Sequence, residues 1–192
     1  HELSAEGGGF TARDGRAVSF REVAAAADPP LRASTRFESD IVFSSGAYVA
    51  VVEIDRATGR PTVLRLAAVD DAGRIINPLL AEGQVIGGAV QGLGASLTEE
   101  VAHDEEGQPL GSSLVDYGVL TAPDVPPIAT AFVESPSPLN PLGAKGVGEG
   151  GAIGTPAAIA NAITDALDGV HVDPPFSPEK LWRALTAGQT SE

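Results

Sequence analysis

The sequence contains no cysteine, little positive charge and no long apolar run. Without cysteine the chain cannot form a disulfide, a thiolate nucleophile, an iron–sulfur cluster or a Cys-ligated zinc site. Its 12 Lys and Arg against 26 Asp and Glu give a formal net charge of -14, which argues against a surface for nucleic acid or an anionic membrane. No apolar run approaches the ~20 residues that span a bilayer. We therefore expect no nucleic-acid or membrane partner and, since no signal peptide is visible, a cytoplasmic location.

Metal ligands are also scarce. His1, His103 and His171 are far apart and show no metal-ligand spacing. The acidic residues between positions 99 and 106 lack the ligand order of a calcium-binding EF-hand loop. We predict no metal ligand among the side chains of this chain.

Hydrophobic patterning predicts an α+β fold with a mixed or antiparallel sheet and packed helices. Residues 46–55 (GAYVAVVEID) and 62–70 (TVLRLAAVD) are rich in β-branched residues and predict two strands joined by a hairpin turn. A third strand is expected at about residues 128–134. Because both strand runs are apolar on both faces, we expect the sheet to be covered on both sides. Before them, residues 1–35 are predicted to be an N-terminal edge segment, irregular or a short hairpin, with a short helix that begins at a Ser19–Glu22 capping box.

Paired capping and proline signals predict three later helices. Asn77 followed by Pro78 begins a helix that is expected to run to residue 100. Thr155–Pro156 and Ser177–Pro178 are expected to begin the other two. The first of these helices contains five glycines, each costing roughly 0.5–1 kcal/mol relative to alanine. Either close packing against another backbone or close approach of a ligand explains them. These glycines are Gly83, Gly87, Gly88, Gly92 and Gly94.

The segment 140–155 has too many Pro and Gly residues for regular structure and includes KGVGEGG at 145–151. Few side chains crowd this loop, so its backbone N–H groups can approach a ligand closely. Its one carboxylate, Glu149, is flanked by Val147 and Ile153, which can dehydrate it and make it a better base near neutral pH. Lys145 could bind an anion or stabilise developing charge.

The same loop matches the dinucleotide fingerprint G-x-G-x-x-G at Gly146, Gly148 and Gly151. That fingerprint should directly follow a strand and begin a βαβ unit. Here prolines precede it and only about 40 residues follow it, too few to complete a mononucleotide-binding half. We reject the dinucleotide interpretation. On pattern alone, an exposed loop with an inert Glu149 is the commoner outcome.

Four segments in order resemble a known family. They are GAYVAVVEID, VDDAGRIINPLLAEGQVIGGAVQGLGASLTEE, DYGVLTAPDVPP and SPSPLNPLGAKGVGEGGAIGTPAAIANAI. Together they resemble the molybdopterin-binding large subunits of molybdenum hydroxylases, the xanthine dehydrogenase, aldehyde oxidase and carbon monoxide dehydrogenase family. GVGEGG is typical of the bacterial branch, although the cysteine loop of the carbon monoxide enzymes is absent. The resemblance implies that residues 36–192 are a C-terminal portion of the family's second molybdenum-cofactor-binding domain, with the catalytic loop at 140–155.

The resemblance also implies roles for individual residues. Glu149 matches the family's active-site glutamate, the base that takes a proton as an oxygen nucleophile attacks an electron-poor carbon. Gln91 matches a glutamine that contacts the pterin, and Asp71 and Asn77 lie in another cofactor-facing segment. The loop packed along the cofactor is matched by Lys145, Gly146, Val147 and Gly148.

The cofactor that the resemblance implies is molybdenum–molybdopterin cytosine dinucleotide, shared with a complementary molybdopterin-binding chain or domain. Iron–sulfur clusters and FAD are expected only in partner subunits. The implied activity is the oxidation of aldehydes or N-heterocycles with water as oxygen source. Because family large subunits are several-fold longer, we expect this chain, a fragment or a split subunit, to be inactive alone. A non-catalytic assembly module and an unrelated phosphate- or nucleotide-binding domain are the alternatives.

Overall fold

The computed structural model describes residues 3–38 and 40–187. Its contacts divide the chain into two compact units, His1–Glu38 and Ser39–Glu192. None of the helices in these described ranges is both long and apolar enough to cross a membrane.

The first unit is an antiparallel sheet of three strands followed by one helix. Strands β1 (Leu3–Glu6), β2 (Gly9–Ala12) and β3 (Ala17–Ser19) pair in chain order, and α1 spans Phe20–Ala26. This unit therefore has more regular structure than the irregular edge or short hairpin that the sequence predicts. The turn between β1 and β2 has two consecutive glycines with φ of +61° and +83°, the left-handed backbone that two-residue hairpin turns favour.

The predicted capping box at the start of α1 is confirmed. The Glu22 backbone N–H donates to Ser19 Oγ at 3.2 Å, and the Ser19 backbone N–H donates to Glu22 Oε2 at 2.8 Å. Two N–H groups that the helix leaves without partners are thereby satisfied.

The second unit contains the sheet that the sequence predicts. Strand β4 (Ser45–Ile54) pairs antiparallel with β5 (Pro61–Asp71), and β5 pairs in parallel with β6 (Ile128–Phe132). The sheet is therefore mixed, with the order β4–β5–β6. The predicted hairpin turn between β4 and β5 is closed by the Asp55 carboxylate, which accepts from the Ala57 N–H and the Thr58 hydroxyl.

Four helices complete this unit. They are α2 (Pro78–Leu97), α3 (Leu114–Tyr117), α4 (Gly150–Ala166) and α5 (Pro178–Ala187). Helix α4 makes its main contacts with α2 and with β4, so it joins the sheet to the outer helix. The core cluster that the sheet, α2, α4 and α5 enclose consists of Val63, Leu93, Ile159, Ile163, Leu167, Phe176, Leu181 and Leu185.

Only one face of this sheet is covered by the described elements of the second unit. Ala50, Val52 and Ile54 of β4 pack against the core. On the opposite face Val49 is 63% exposed and Val69 is 37% exposed. The expectation of a sheet covered on both sides is wrong for this unit, because none of its own described elements lies over the second face.

The start of α4 also differs from the prediction. The helix begins at Gly150 and not at Thr155, which lies inside it, completely buried, with Pro156 next to it. Because Gly151 has no side chain, the α4 backbone can lie directly on α2 one turn earlier: a Cβ built at Gly151 would be 2.4 Å from the Val85 carbonyl oxygen. Tertiary packing thus extends the helix beyond its apparent capping signal.

Candidate active site

The loop before α4 is tied to the end of β5 by one carboxylate. Asp71 Oδ2 lies 2.7 Å from Lys145 Nζ, and both side chains are 14% exposed. Asp71 Oδ1 accepts from the backbone N–H groups of Gly73 at 2.9 Å and Ser135 at 3.1 Å. The Lys145 ammonium, with help from these N–H groups, holds the pKa of Asp71 below its ordinary value.

Hydrogen bonds order the segment 137–145 despite its prolines. The Asn140 side chain donates to the Ala144 carbonyl at 2.9 Å and accepts from the Ala144 N–H at 3.2 Å. The Lys145 N–H donates to the Ala72 carbonyl at 2.8 Å. Although the loop has no regular structure, its backbone is fixed on both sides of Ala144.

After Lys145, other atoms no longer crowd the loop backbone. A Cβ built at Gly146 would meet nothing within 4 Å, and one built at Gly148 would meet only Gln84 Oε1 at 3.5 Å. Both glycines are exposed, and Val147 is partly buried. This part of the loop has the uncrowded backbone that the sequence predicts.

Glu149 occupies the N-cap position of α4. Its carbonyl accepts the Ile153 N–H at 3.1 Å, but its side chain makes no capping hydrogen bond. The side chain is exposed, and Ile153 is 66% exposed. The apolar neighbours that were expected to dehydrate Glu149 therefore do not enclose it within this chain.

A pair that sequence reasoning missed, buried Asp70 and partly buried Tyr48, lies against the first turn of α4. The Tyr48 hydroxyl lies 2.8 and 3.0 Å from the two carboxylate oxygens of Asp70, which is 3% exposed. Burial first, and then the hydrogen bond and charge of Asp70, raise the pKa of Tyr48. Alternation along β5 could have revealed this pair. Successive side chains of a strand point to opposite faces, so one of the two consecutive aspartates must face the core.

Helix α2 carries the two remaining predicted residues. Asn77 is its N-cap, accepting the Leu80 N–H at 3.2 Å, so its side-chain oxygen serves the helix. Gln91 is exposed and lies one helical turn after Gly87. A Cβ built at Gly87, as at Gly83, would meet no atom within 4 Å. The structure thus brings Asp71 and Lys145 into direct contact, whereas Asn77 and Gln91 lie at the start and in the second half of α2.

Four of the five helix glycines fall into two classes, and the fifth, Gly94, lies against the Glu99 side chain. A Cβ built at Gly92 would be 2.8 Å from Thr155 Cβ, and one built at Gly88 would be 3.0 Å from the Ala152 nitrogen. These two glycines allow α2 and α4 to pack closely, and no ligand is needed to explain them. At Gly83 and Gly87, nothing lies within 4 Å of the built Cβ.

Comparison with known proteins identifies the family. The molybdopterin cofactor-binding domain family matches residues 1–126. The chain belongs to this family.

Relatives of this chain include subunits of oxidoreductases. The gamma subunit of the 6-hydroxypseudooxynicotine dehydrogenase complex of Paenarthrobacter nicotinovorans is 41% identical over 179 residues, which cover 86% of this chain and 22% of that subunit. The carbon monoxide dehydrogenase large chain of Hydrogenophaga pseudoflava is 35% identical over 171 residues, covering 87% of this chain and 21% of that relative. This chain thus spans about a fifth of the length of these relatives.

Solved structures agree with the fold. Quinoline 2-oxidoreductase from Pseudomonas putida 86 superposes with a TM-score of 0.81 at 36% identity, over 96% of this chain and 26% of that chain. The resemblance to molybdenum-hydroxylase large subunits and the α+β fold class are therefore confirmed.

The exposed backbone of this chain has the chemistry that an anionic group of a cofactor needs. Such a group requires backbone N–H donors that side chains do not crowd. Gly146 and Gly148 offer such backbone ahead of α4, and Gly83 and Gly87 leave α2 open beside it. No group of three His, Cys, Asp or Glu side chains within residues 3–38 and 40–187 could hold a metal ion.

Proposed function

We propose that this chain forms part of a molybdenum-dependent hydroxylase in which Glu149 is the general base. The observation that carries the proposal is the position of Glu149. It is the one carboxylate in the glycine loop 145–151, exposed at the N-cap position immediately before α4, in a family that binds molybdopterin. The Asp71–Lys145 pair holds the loop immediately before it.

The bound cofactor, in its cytosine dinucleotide form, would supply the two-electron oxidation with water as the oxygen source. Gly146, Val147 and Gly148 would line it with backbone, and Gln91 would offer a side-chain amide. Asp71 and Asn77 order the backbone of the segments that face it. Glu149 would accept the proton of the oxygen nucleophile, which requires direct hydrogen-bond reach or one bridging water.

Aldehydes or N-heterocycles are the proposed substrates. The nicotine 6-hydroxylase large subunit of Paenarthrobacter nicotinovorans, 42% identical over 146 residues, and quinoline 2-oxidoreductase act by name on N-heterocycles. The apolar surfaces around the site, which include Ile76, Leu79 and Leu142, are 62–77% exposed in this chain. We infer that a complementary molybdopterin-binding portion covers them and completes the pocket, so the isolated chain is inactive.

We also propose that the enzyme contains further chains. One relative is named as the gamma subunit of a complex, which supports further partner chains. We propose that these carry the iron–sulfur clusters and FAD that accept the electrons, in a cytoplasmic enzyme.

The test is Glu149→Gln in the complete assembled enzyme. The amide keeps the shape of the side chain but cannot accept the proton, so turnover should fall by at least ~10²-fold while molybdenum content stays near normal. Glu105→Gln, in the exposed turn after α2, is the matched control and should leave both unchanged.

Full turnover of Glu149→Gln would refute the catalytic assignment. Absence of molybdenum from the assembled wild-type complex would instead favour a non-catalytic assembly module. Steady-state kinetics together with metal analysis distinguish these outcomes.

A further inference from the structure

The Tyr48–Asp70 pair, in which Asp70 is buried and Tyr48 is partly buried, lies where the first turn of α4 begins. Tyr48 on β4 faces Ala68 across the strand pair, and Asp70 on β5 faces Gly46. Both side chains lie on the core face of the sheet, two residues apart in register, so they meet diagonally. Their hydrogen bonds of 2.8 and 3.0 Å engage both carboxylate oxygens of Asp70.

Three glycines make room for this pair. A Cβ built at Gly46 would lie 2.6 Å from Asp70 Oδ1, and one built at Gly150 would lie 2.9 Å from the same atom. A Cβ at Gly154 would lie 2.3–2.7 Å from three ring atoms of Tyr48. Since Gly150 and Gly154 are one helical turn apart, the backbone of that turn rests directly on the pair.

Glu149 is the residue immediately before this supported turn. We propose that Tyr48 and Asp70 are positioning residues for Glu149: their hydrogen-bonded pair fixes the first turn of α4 and with it the direction in which the Glu149 side chain leaves the backbone. This inference rests on the proposed function of Glu149 as the general base.

The physical reason for such a support is the sensitivity of proton transfer to position. A displacement of about 1 Å can cost on the order of 10²-fold in rate. Glycine-rich backbone at 146–151 has little side-chain packing of its own to resist displacement. On the side before Glu149, Lys145 is held by Asp71 at 2.7 Å. On the side after it, Asp70 and Tyr48 provide the support.

The test combines Tyr48→Phe with Glu149→Gln in the complete enzyme. Tyr48→Phe keeps the ring and removes only the hydroxyl. We expect kcat to fall about 10-fold with little change in KM and normal molybdenum content, because substrate binding does not depend on the direction of the base. In the Glu149→Gln background, the same substitution should change kcat less than about 2-fold, since an effect that acts through Glu149 is lost with it.

A second measurement needs no cofactor. Hydrogen exchange of the 192-residue chain should show faster exchange of the amides at 150–154 in Tyr48→Phe than in wild type. Tyr117→Phe is the matched control, since the Tyr117 hydroxyl also donates to a carboxylate, Glu99, at 2.9 Å. It should change neither this exchange nor kcat. Asp70→Asn tests the same bond from its other partner if Tyr48→Phe is poorly folded.

The outcomes separate the two claims. Equal losses of kcat from Tyr48→Phe in both backgrounds, or unchanged exchange at 150–154, would overturn the positioning role and leave Glu149 as the base. Full activity of Glu149→Gln would overturn the proposed function and this inference with it.

Discussion

Asp71 shows how one side chain can organise three segments of backbone. It accepts from Gly73, from Ser135 and from Lys145, the last 74 positions away in the sequence. Because the ammonium and both N–H groups favour the charged form, the pKa of Asp71 is lower in the folded chain than in the unfolded one. The contribution of Asp71 to stability must therefore depend on pH.

The sign of this dependence follows from the lowered pKa. The stabilisation is fully present above the unfolded pKa of about 4 and is lost as the pH falls through the folded pKa, where Asp71 becomes protonated. The difference in free energy of unfolding between wild type and Asp71→Asn should be largest near neutral pH and shrink towards zero in acid. Urea denaturation of the chain at a series of pH values measures it. Asp40→Asn, at an exposed position, should show a small difference throughout, and a difference for Asp71→Asn that does not vary with pH would contradict the assignment.

At the residue scale, the sequence singles out candidate site residues but does not show which residues they contact. Glu149 could be singled out because it is the one acidic residue among glycines. The contact between Asp71 and Lys145 could not, because no local pattern relates positions 74 apart. Asp70 lies at the end of the predicted strand 62–70, where strand alternation buries one of the two consecutive aspartates.

At the scale of elements, the close contact between α2 and α4 depends on glycines, which have no side chain to hold the two backbones apart. Gly88, Gly92 and Gly151 let the two backbones approach, as the short distances from their built Cβ positions show. Gly83 and Gly87 lie on the same helix α2 without such contacts. The five helix glycines therefore need more than one explanation.

Alanine substitutions should separate these explanations. Gly92→Ala must displace Thr155 Cβ, 2.8 Å away, and should cost about 1–3 kcal/mol of stability through overpacking. Gly87→Ala meets nothing within 4 Å and should add about 0.5–1 kcal/mol, because alanine favours the helix. Urea denaturation of the isolated chain measures both.

The assembled enzyme provides the second half of this test. If Gly87 is kept free for the cofactor, Gly87→Ala should lower molybdenum content several-fold while stabilising the isolated chain. Normal molybdenum content in that variant would mean that the cofactor does not approach α2 at this turn.

Helix boundaries show where local signals fail. Asn77–Pro78 and Ser177–Pro178 do mark the starts of α2 and α5. Thr155–Pro156 has the same form but lies inside α4, because the glycines before it allow close packing on α2. Capping signals predict a start only where no tertiary contact extends the helix beyond it.

At the scale of the whole molecule, the exposed face of the β4–β5–β6 sheet is the feature that indicates an interaction site. Val49, Val51 and Val69 are 37–63% exposed on adjoining strands. A contiguous exposed apolar surface normally marks an interaction site. Continuous apolar strand runs correctly predict a sheet with two apolar faces, but they cannot show whether the covering layer belongs to the same chain.

This surface should be measurable with a hydrophobic fluorescent dye. The natively folded chain should bind the dye, and Val49→Lys or Val69→Lys should lower binding with a stability change of about 0.5 kcal/mol or less, as at other exposed positions. Val115→Lys, at a position that is 89% exposed on α3, should leave dye binding nearly unchanged. Addition of the complementary large-subunit portion should abolish dye binding to the wild-type chain. Undiminished binding in that complex would mean that another partner covers the face.

The two aspartates at the end of β5 constrain the number of residues in that strand as well as their identity. Asp70 points beneath α4 and Asp71 points to the loop, because neighbouring residues of a strand face opposite ways. Inserting or deleting one residue in β5 would reverse both directions at once. Tyr48 would then lose its hydrogen-bond acceptor and Lys145 its counter-ion, although both residues would still be present. Any transfer of this loop to another scaffold must therefore preserve the odd or even count of the strand that precedes it.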